Sequence, residues 1–230
     1  MPTLRSVLAA GVAANPAAFV LVSALVSVLG PSAGCVEEFS DDIDWTDYQG
    51  LPALEDIDLA ALTPAAPVDF IELRAVYGES PPESVAATGE PCAGASDPDA
   101  CTAALAALTA PWGFDRGCEP GFCYKYLAVT RGDEVFAVYD RAGLAAWLAP
   151  VDTLEEALLM VSTEGFYWVR DTPMDGGVRA REDGYELIVV RLEGDCDPIE
   201  TWRYLLHVDR AGAVTERARE LRTQEYGACI

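Results

Sequence analysis

The last third of the chain alternates apolar and polar residues along five short segments, and this alternation constrains the fold most strongly. A period of two residues is typical of a β-strand with one buried face. The connections between the segments are short and rich in turn residues, as in Asp183-Gly184. Such connections cannot hold a crossover, so neighbouring strands must be antiparallel. The predicted strands are Phe166–Asp171, Val178–Glu182, Tyr185–Glu193, Glu200–Asp209 and Ala213–Leu221.

Further strands are predicted before this region. The aromatic and β-branched segments Cys123–Thr130 and Glu134–Tyr139 flank Arg131-Gly-Asp133, a pattern that predicts a β-hairpin. Asp69–Tyr77 fits a short strand or a helical turn, and periodicity does not decide between them. Gly78–Pro91 is rich in Pro, Gly and Ser, and we expect it to be a loop.

Helix signals lie between the two strand-forming regions. Ser96 or Asp97 can cap a helix that has Pro98 in its first turn. A short helix is expected over Leu144–Leu148, and Thr153 and Glu156 have the spacing of a capping box. Together these patterns predict an α+β domain, an antiparallel sheet meander with two or three helices on one face, stapled by disulfides.

Charge excludes one large class of partner. The chain of 230 residues has 15 basic and 38 acidic residues, for a formal charge of −23. Binding to nucleic acid needs a cationic surface that displaces counterions from phosphate, so no nucleic-acid partner is expected. Hydrophobic residues make up 51% of the sequence, which is enough for a sizeable core.

The N-terminus carries the pattern of an export signal. An apolar run of 13 residues extends from Ala17 to Leu29. It is too short to span a bilayer but has the length of a signal-peptide core. The stretch Ser32-Ala-Gly-Cys35 that follows resembles the lipobox of bacterial lipoproteins, although that family prefers Leu where this chain has Ser32. The resemblance implies that residues 1–34 are removed and that the thiol of Cys35 is acylated.

Two other interpretations of the N-terminus stay open. Ordinary signal cleavage after Gly34 also fits, because Ser32 and Gly34 are both small, and would give a soluble secreted protein. An uncleaved anchor over 7–29 is the third interpretation, although Asn15-Pro16 interrupts it. We therefore expect a lipid-anchored protein of the cell envelope (outer membrane or periplasm), or a secreted one, with the membrane as a partner through its lipid.

The number of cysteines agrees with lipidation. The chain has 7 cysteines, and an odd number in an exported protein indicates one thiol with another role. Setting Cys35 aside leaves six, enough for three disulfides in an oxidising compartment. Sequence proximity favours Cys92–Cys101, Cys118–Cys123 and Cys196–Cys229 among the possible pairings. Zinc is the competing explanation, but there is no Cys-x-x-Cys and only one histidine, so no metal is predicted.

The segment after Cys35 is strongly acidic. No Lys or Arg occurs from Val36 to Leu73. Like charges keep such a segment extended, so residues 35–66 are predicted to be a lipid-proximal tether and residues 67–230 a single domain. Tyr48 and its aromatic neighbours are unusual in a linker and are expected to dock on the domain. The acidic residues of the segment are also expected to pair with arginines on the late strands. These arginines are Arg179, Arg181, Arg191, Arg203, Arg217 and Arg219.

Candidate catalytic residues are few. His207 is the only histidine, and Asp209 follows on the same face of its strand, where it could orient the imidazole. The carboxylate pairs Asp195/Asp197 and Glu182/Asp183 could serve acid–base hydrolysis. No nucleophile elbow or phosphate-binding loop is present, so no cofactor is predicted. The sequence favours a non-catalytic binding or structural domain, with a hydrolase that uses Asp/Glu and His207 as the alternative.

Overall fold

The computed structural model describes residues 37–38, 45–114, 123–148, 150–194 and 196–227. Three α-helices lie among them: α1 (Pro98–Ala107), α2 (Arg141–Leu148) and α3 (Leu154–Ser162). The strands are β1 (Glu37–Glu38), β2 (Gln49–Gly50), β3 (Phe70–Tyr77), β4 (Glu83–Gly89), β5 (Cys123–Arg131), β6 (Glu134–Val138), β7 (Gly177–Arg181), β8 (Gly184–Glu193), β9 (Ile199–Asp209) and β10 (Val214–Glu225).

The larger sheet, called sheet A here, has the strand order β1-β10-β9-β8-β7-β2. Strands β7 to β10 form the predicted antiparallel meander, in which each strand pairs with the next along the chain. The two outer strands come from the segment after Cys35: β2 pairs antiparallel with β7, and β1 pairs parallel with β10. The α+β class and the antiparallel sheet are confirmed.

The smaller sheet, sheet B, has the order β4-β3-β5-β6. The predicted hairpin is confirmed as β5 and β6, and Asp69–Tyr77 contains the strand β3 at the centre of the sheet. The prediction of a loop over Gly78–Pro91 is wrong, because β4 lies within it and pairs with β3. The partner strand supplies the hydrogen bonds that favour β4 over the turn propensity of its flanking Pro and Gly residues.

One apolar core joins the two sheets. It contains Leu73 and Leu127 of sheet B and Leu187 and Leu206 of sheet A, together with the apolar faces of α2 and α3. Helix α1 lies on the opposite face of sheet B, where Leu105 packs with a second apolar cluster. The alternation of strand side chains produces these two separate clusters.

The helix ends follow the sequence signals. Asp97 caps α1 by accepting a hydrogen bond from Ala100 N at 3.0 Å, and Pro98 occupies its first turn. Thr153 and Glu156 form the predicted capping box at the start of α3. The C-terminal end of α1 is held by Arg74, which is 9% exposed and donates to the carbonyls of Leu105 and Leu108.

The segment predicted as a tether is built into the domain over its second half. Tyr48 is buried, and the segment forms short 3-10 turns over Leu54–Asp56 and Leu59–Ala61. Its acids point outward, whereas its aliphatic side chains enter the main core. The buried aliphatic residues are Leu51, Leu54, Ile57, Leu59 and Leu62. Burial of this apolar surface outweighs the charge repulsion that favours an extended chain.

The prediction of a strand over Phe166–Asp171 is also wrong. Only Tyr167 makes a β-bridge, to Val190, and the chain then turns toward β7. Two side chains in this segment bind the docked N-terminal segment instead. Trp168 Nε1 donates to the carbonyl of Pro52 at 2.6 Å, and Arg170 forms an ion pair with Asp56.

Candidate functional site

A row of polar side chains crosses the face of sheet A that points away from the main core. Arg179 of β7 is paired in register with Glu186 of β8, which is paired with His207 of β9. Thr215 of β10 completes the row opposite His207. Side chains in register on neighbouring strands lie on one face of a sheet. The sequence-predicted His207 thus lies beside a carboxylate that sequence analysis did not select.

Glu186 is the centre of the first half of this row. Its Oε2 accepts from Arg179 Nη2 at 2.6 Å and from Tyr48 OH at 3.1 Å, while its Oε1 accepts from Arg181 Nη2 at 2.9 Å. Burial raises the pKa of Glu186, but the hydrogen bonds from Arg179 and Arg181 outweigh burial and lower it below its usual value. The carboxylate is therefore held ionised between two guanidinium groups.

The same network fixes the N-terminal segment on the sheet. The Arg179 guanidinium lies over the Tyr48 ring at 4.7 Å, and its Nη1 donates to Asp47 Oδ2 at 3.2 Å. Burial, followed by the negative charge of Glu186, raises the pKa of Tyr48 to about 12. The expectation that late-strand arginines pair with the acidic segment is confirmed for Arg179.

His207 has a different partner from the one predicted. Its Nε2 lies 3.4 Å from Asp183 Oδ2, and the His207 side chain is 8% exposed whereas that of Asp183 is 74% exposed. Asp209 instead closes the turn between β9 and β10, accepting from Ala211 N at 2.9 Å and from Ala213 N at 2.8 Å. The short Asp side chain favours this local turn over a contact with His207.

An open depression of about 790 Å³ lies where the β7–β8 and β9–β10 turns meet, and one residue of its wall, Asp183, is the partner of His207. Glu182, Asp183 and Asp209 bring three carboxylates to its wall, and Arg210 and Ala211 complete the lining. The predicted pair Glu182/Asp183 therefore lies here, and Asp183 contacts His207. Acid–base catalysis needs groups whose pKa values are shifted by a water-excluding site. The exposure of Asp183 and the use of Asp209 in a turn fit surface carboxylates better.

The other predicted carboxylate pair lies elsewhere. Asp197 accepts from Gly227 N at 2.9 Å through Oδ1 and precedes Pro198 in a cis peptide bond. Asp195 lies outside the described residues. Asp197 thus joins the β8–β9 connection to the end of β10.

A second charged cluster lies on the same face, where Arg203, which was predicted to pair with the acidic N-terminal segment, pairs with Glu220 and Asp175. Arg203 of β9 is 2% exposed, and its Nη2 lies 2.9 Å from Glu220 of β10. Asp175 lies 3.5 Å from Arg203 Nε and accepts two hydrogen bonds from Arg222 at 3.1 Å. Burial lowers the pKa of Arg203 more than the nearby carboxylates raise it. The sequence held one signal for this pair. Strand alternation places Arg203 and Glu220 on the same face of neighbouring strands, where opposite charges can meet.

Arginines also stack on aromatic rings at the far end of sheet A. The Arg191 guanidinium lies 4.6 Å from the Phe166 ring centroid and 4.9 Å from that of Tyr204. Arg219 lies 5.0 Å from the ring of Trp202. Such cation–π contacts stabilise ordered arginines on a partly exposed sheet surface.

The cysteine predictions have one direct outcome. Cys92 and Cys101 form a disulfide with a Cα–Cα distance of 5.9 Å, as predicted. Cys123 and Cys196 are also disulfide-bonded. Their predicted partners Cys118 and Cys229, and the lipidation candidate Cys35, lie outside the described residues.

Two features are absent from the described part of the chain. No group of three or more His, Cys, Asp or Glu side chains there is arranged to hold a metal ion. Among the same residues, no helix has the length and apolarity that crossing a membrane requires.

In comparisons with known proteins, the chain matches no family model, no curated protein and no solved structure. Its function is therefore inferred from its own residues.

Proposed function

We propose that this protein is an exported cell-envelope lipoprotein whose acylated Cys35 anchors a non-catalytic binding or structural domain. The observation that carries the proposal is the use of the cysteines. Cys92–Cys101 is a disulfide, and Cys123 and Cys196 are disulfide-bonded too. Disulfides of this number are typical of an oxidising compartment. The predicted pairings of Cys123 with Cys118 and of Cys196 with Cys229 would leave Cys35 as the thiol available for lipid.

The role of the polar side chains supports a domain that acts through binding or structure. Glu186 holds the N-terminal segment through Tyr48 and Arg179, and Asp209 forms a turn. The His207 side chain is nearly covered, and Asp183, the carboxylate 3.4 Å from it, is largely exposed. In these contacts the polar groups stabilise the fold, which is the role expected of them in a binding or structural domain.

Metabolic labelling with an alkyne-tagged fatty acid tests the proposal. We expect the full chain, expressed in a bacterial host, to take up the label. The Cys35→Ala variant should lose it, whereas the matched Cys229→Ala variant should keep it. Absence of label from the unmodified chain, or label that persists in Cys35→Ala, would contradict lipidation at Cys35.

A hydrolase is the second candidate, favoured by the 3.4 Å approach of His207 to Asp183 beside the depression. In this role Asp183 would orient His207 as a general base for water. A panel of chromogenic ester, phosphate and glycoside substrates tests it. Turnover that His207→Gln abolishes, and that the control variant Asp197→Asn retains, would replace the non-catalytic proposal.

A further inference from the structure

The pairing of β1 with β10 determines how far the domain can lie from a lipid on Cys35. Glu37 is in register with Ala218, and Glu38 with Arg219. Only two residue steps separate Cys35 from Glu37, a span of at most about 7 Å. A free segment over residues 35–66 would instead reach about 100 Å when extended. A lipid on Cys35 would therefore attach within about 7 Å of Glu37 in β1.

From this confinement we propose that the domain lies against the phospholipid surface with the outer edge of β10 toward the lipid. The inference rests on the proposed lipidation of Cys35. Within the described residues, β1 covers β10 only at Ala218 and Arg219 on that side. The remaining backbone N–H groups of this edge can donate to lipid phosphate and carbonyl oxygens.

The composition of β10 suits this contact in so acidic a chain. Three arginines in the strand, Arg217, Arg219 and Arg222, balance its three glutamates, whereas the whole chain has a charge of −23. Glu37 and Glu38 of β1 add two negative charges beside the strand, so anionic lipids repel this edge far less than a charge of −23 implies. Leu221 is 43% exposed and Tyr226, just after the strand, is 71% exposed. Tyrosine and arginine place their polar ends among headgroups and their apolar parts in the interface.

The alternative orientation is less favourable. Turning the β7–β8 and β9–β10 turns toward the membrane would bring Glu182, Asp183 and Asp209 to the lipid surface. The three carboxylates would be repelled by an anionic surface, and Arg210 is the one positive charge that this wall sets against them. The edge-on orientation keeps these acids away from the headgroups.

Hydrogen exchange on the acylated mature protein, residues 35–230, tests the orientation. The protein is measured in vesicles of phosphatidylcholine and phosphatidylglycerol, and again with its acyl chains in non-ionic detergent micelles. Amides of β10 are expected to exchange about tenfold more slowly on vesicles. Strand β4, the edge of sheet B, is the internal control and should exchange equally in both. The Tyr226→Glu variant should lose most of the β10 protection and leave β4 unchanged.

The outcomes separate this inference from the proposed function, because the acyl mass is recorded on the same sample. An acylated protein whose β10 exchanges equally in vesicles and micelles would overturn the orientation while lipidation stands. Slowing of β4 in place of β10 would overturn it too. A protein without acyl mass would overturn the proposed function, and the orientation with it.

Discussion

Glu156 of α3 binds Thr63, a residue 93 positions earlier in the chain, through two hydrogen bonds. Its Oε1 accepts from Thr63 N at 2.6 Å and from Thr63 Oγ1 at 2.5 Å. The other oxygen, Oε2, accepts from Asp152 N at 2.6 Å and Thr153 N at 3.0 Å. One buried carboxylate thus closes the capping box of α3 and fastens the acidic N-terminal segment to the domain.

Replacing Glu156 by Gln is expected to destabilise the domain by about 3 kcal/mol. The amide group presents N–H donors to backbone N–H groups that need an acceptor, and Glu156 is 0% exposed, so water cannot compensate. Urea unfolding followed by circular dichroism measures the change. The neighbouring variant Glu155→Gln is the control and should stay within about 0.5 kcal/mol of the unmodified chain. Equal effects of the two variants would show that Glu156 does not fasten the segment.

Removing the Cys92–Cys101 disulfide by a double substitution to Ala is expected to cost about 2 to 3 kcal/mol. The bond closes a short loop, with a sequence separation of 9, and joins the chain after β4 to α1. Chain entropy regained by the unfolded state is the physical reason. Thermal unfolding of the oxidised double variant and the unmodified protein measures it, and an unchanged midpoint would argue against a stabilising bond.

Acid is expected to weaken the Glu186 network. Because the folded pKa of Glu186 lies below its unfolded value of 4.5, the unfolded state takes up a proton first as the pH falls. The stability that this group adds above the unfolded pKa is lost as the pH falls through the folded one. Comparing urea midpoints at about pH 7 and about pH 3 should show a smaller acid loss for Glu186→Gln than for the unmodified chain. An equal loss in both proteins would contradict the network.

Alkali is also expected to destabilise the domain, through ionisation of Tyr48. Its pKa is raised from 10.0 to about 12, so the unfolded state loses the phenolic proton first, and stability falls as the pH rises through this range. The ultraviolet difference between the unmodified chain and Tyr48→Phe should show no phenolate at about pH 10.5. A phenolate signal there in the folded protein would show that Tyr48 is not engaged with Glu186.

Local signals in the sequence predicted those parts of the fold that depend on neighbours along the chain. Asp97 and the pair Thr153/Glu156 identified helix starts because capping needs only the next three residues. The strands of the meander followed from a period of two and from turns such as Asp183-Gly184. The Cys92–Cys101 pair was predictable because so short a loop closes easily.

Features that depend on distant partners were not predictable. Strand β4 forms because β3 offers it hydrogen bonds. The many acids after Cys35 predicted an extended tether, whereas Leu51, Leu54 and Ile57 of this segment enter the core. Asp183, directly before β8, approaches His207 of the neighbouring strand β9, a relationship that only the register of these two strands defines. Glu156 was identified as a cap, but its second role needs Thr63, which no local pattern connects to it.

Intact mass of the natively expressed protein, with and without reductant, tests the central claim most directly. We expect a chain that begins at Cys35, carries the added mass of acyl groups, and gains six hydrogens on reduction because six cysteines are in three disulfides. A chain that begins at Cys35 without acyl mass, or one that retains residues 1–34, would contradict the account.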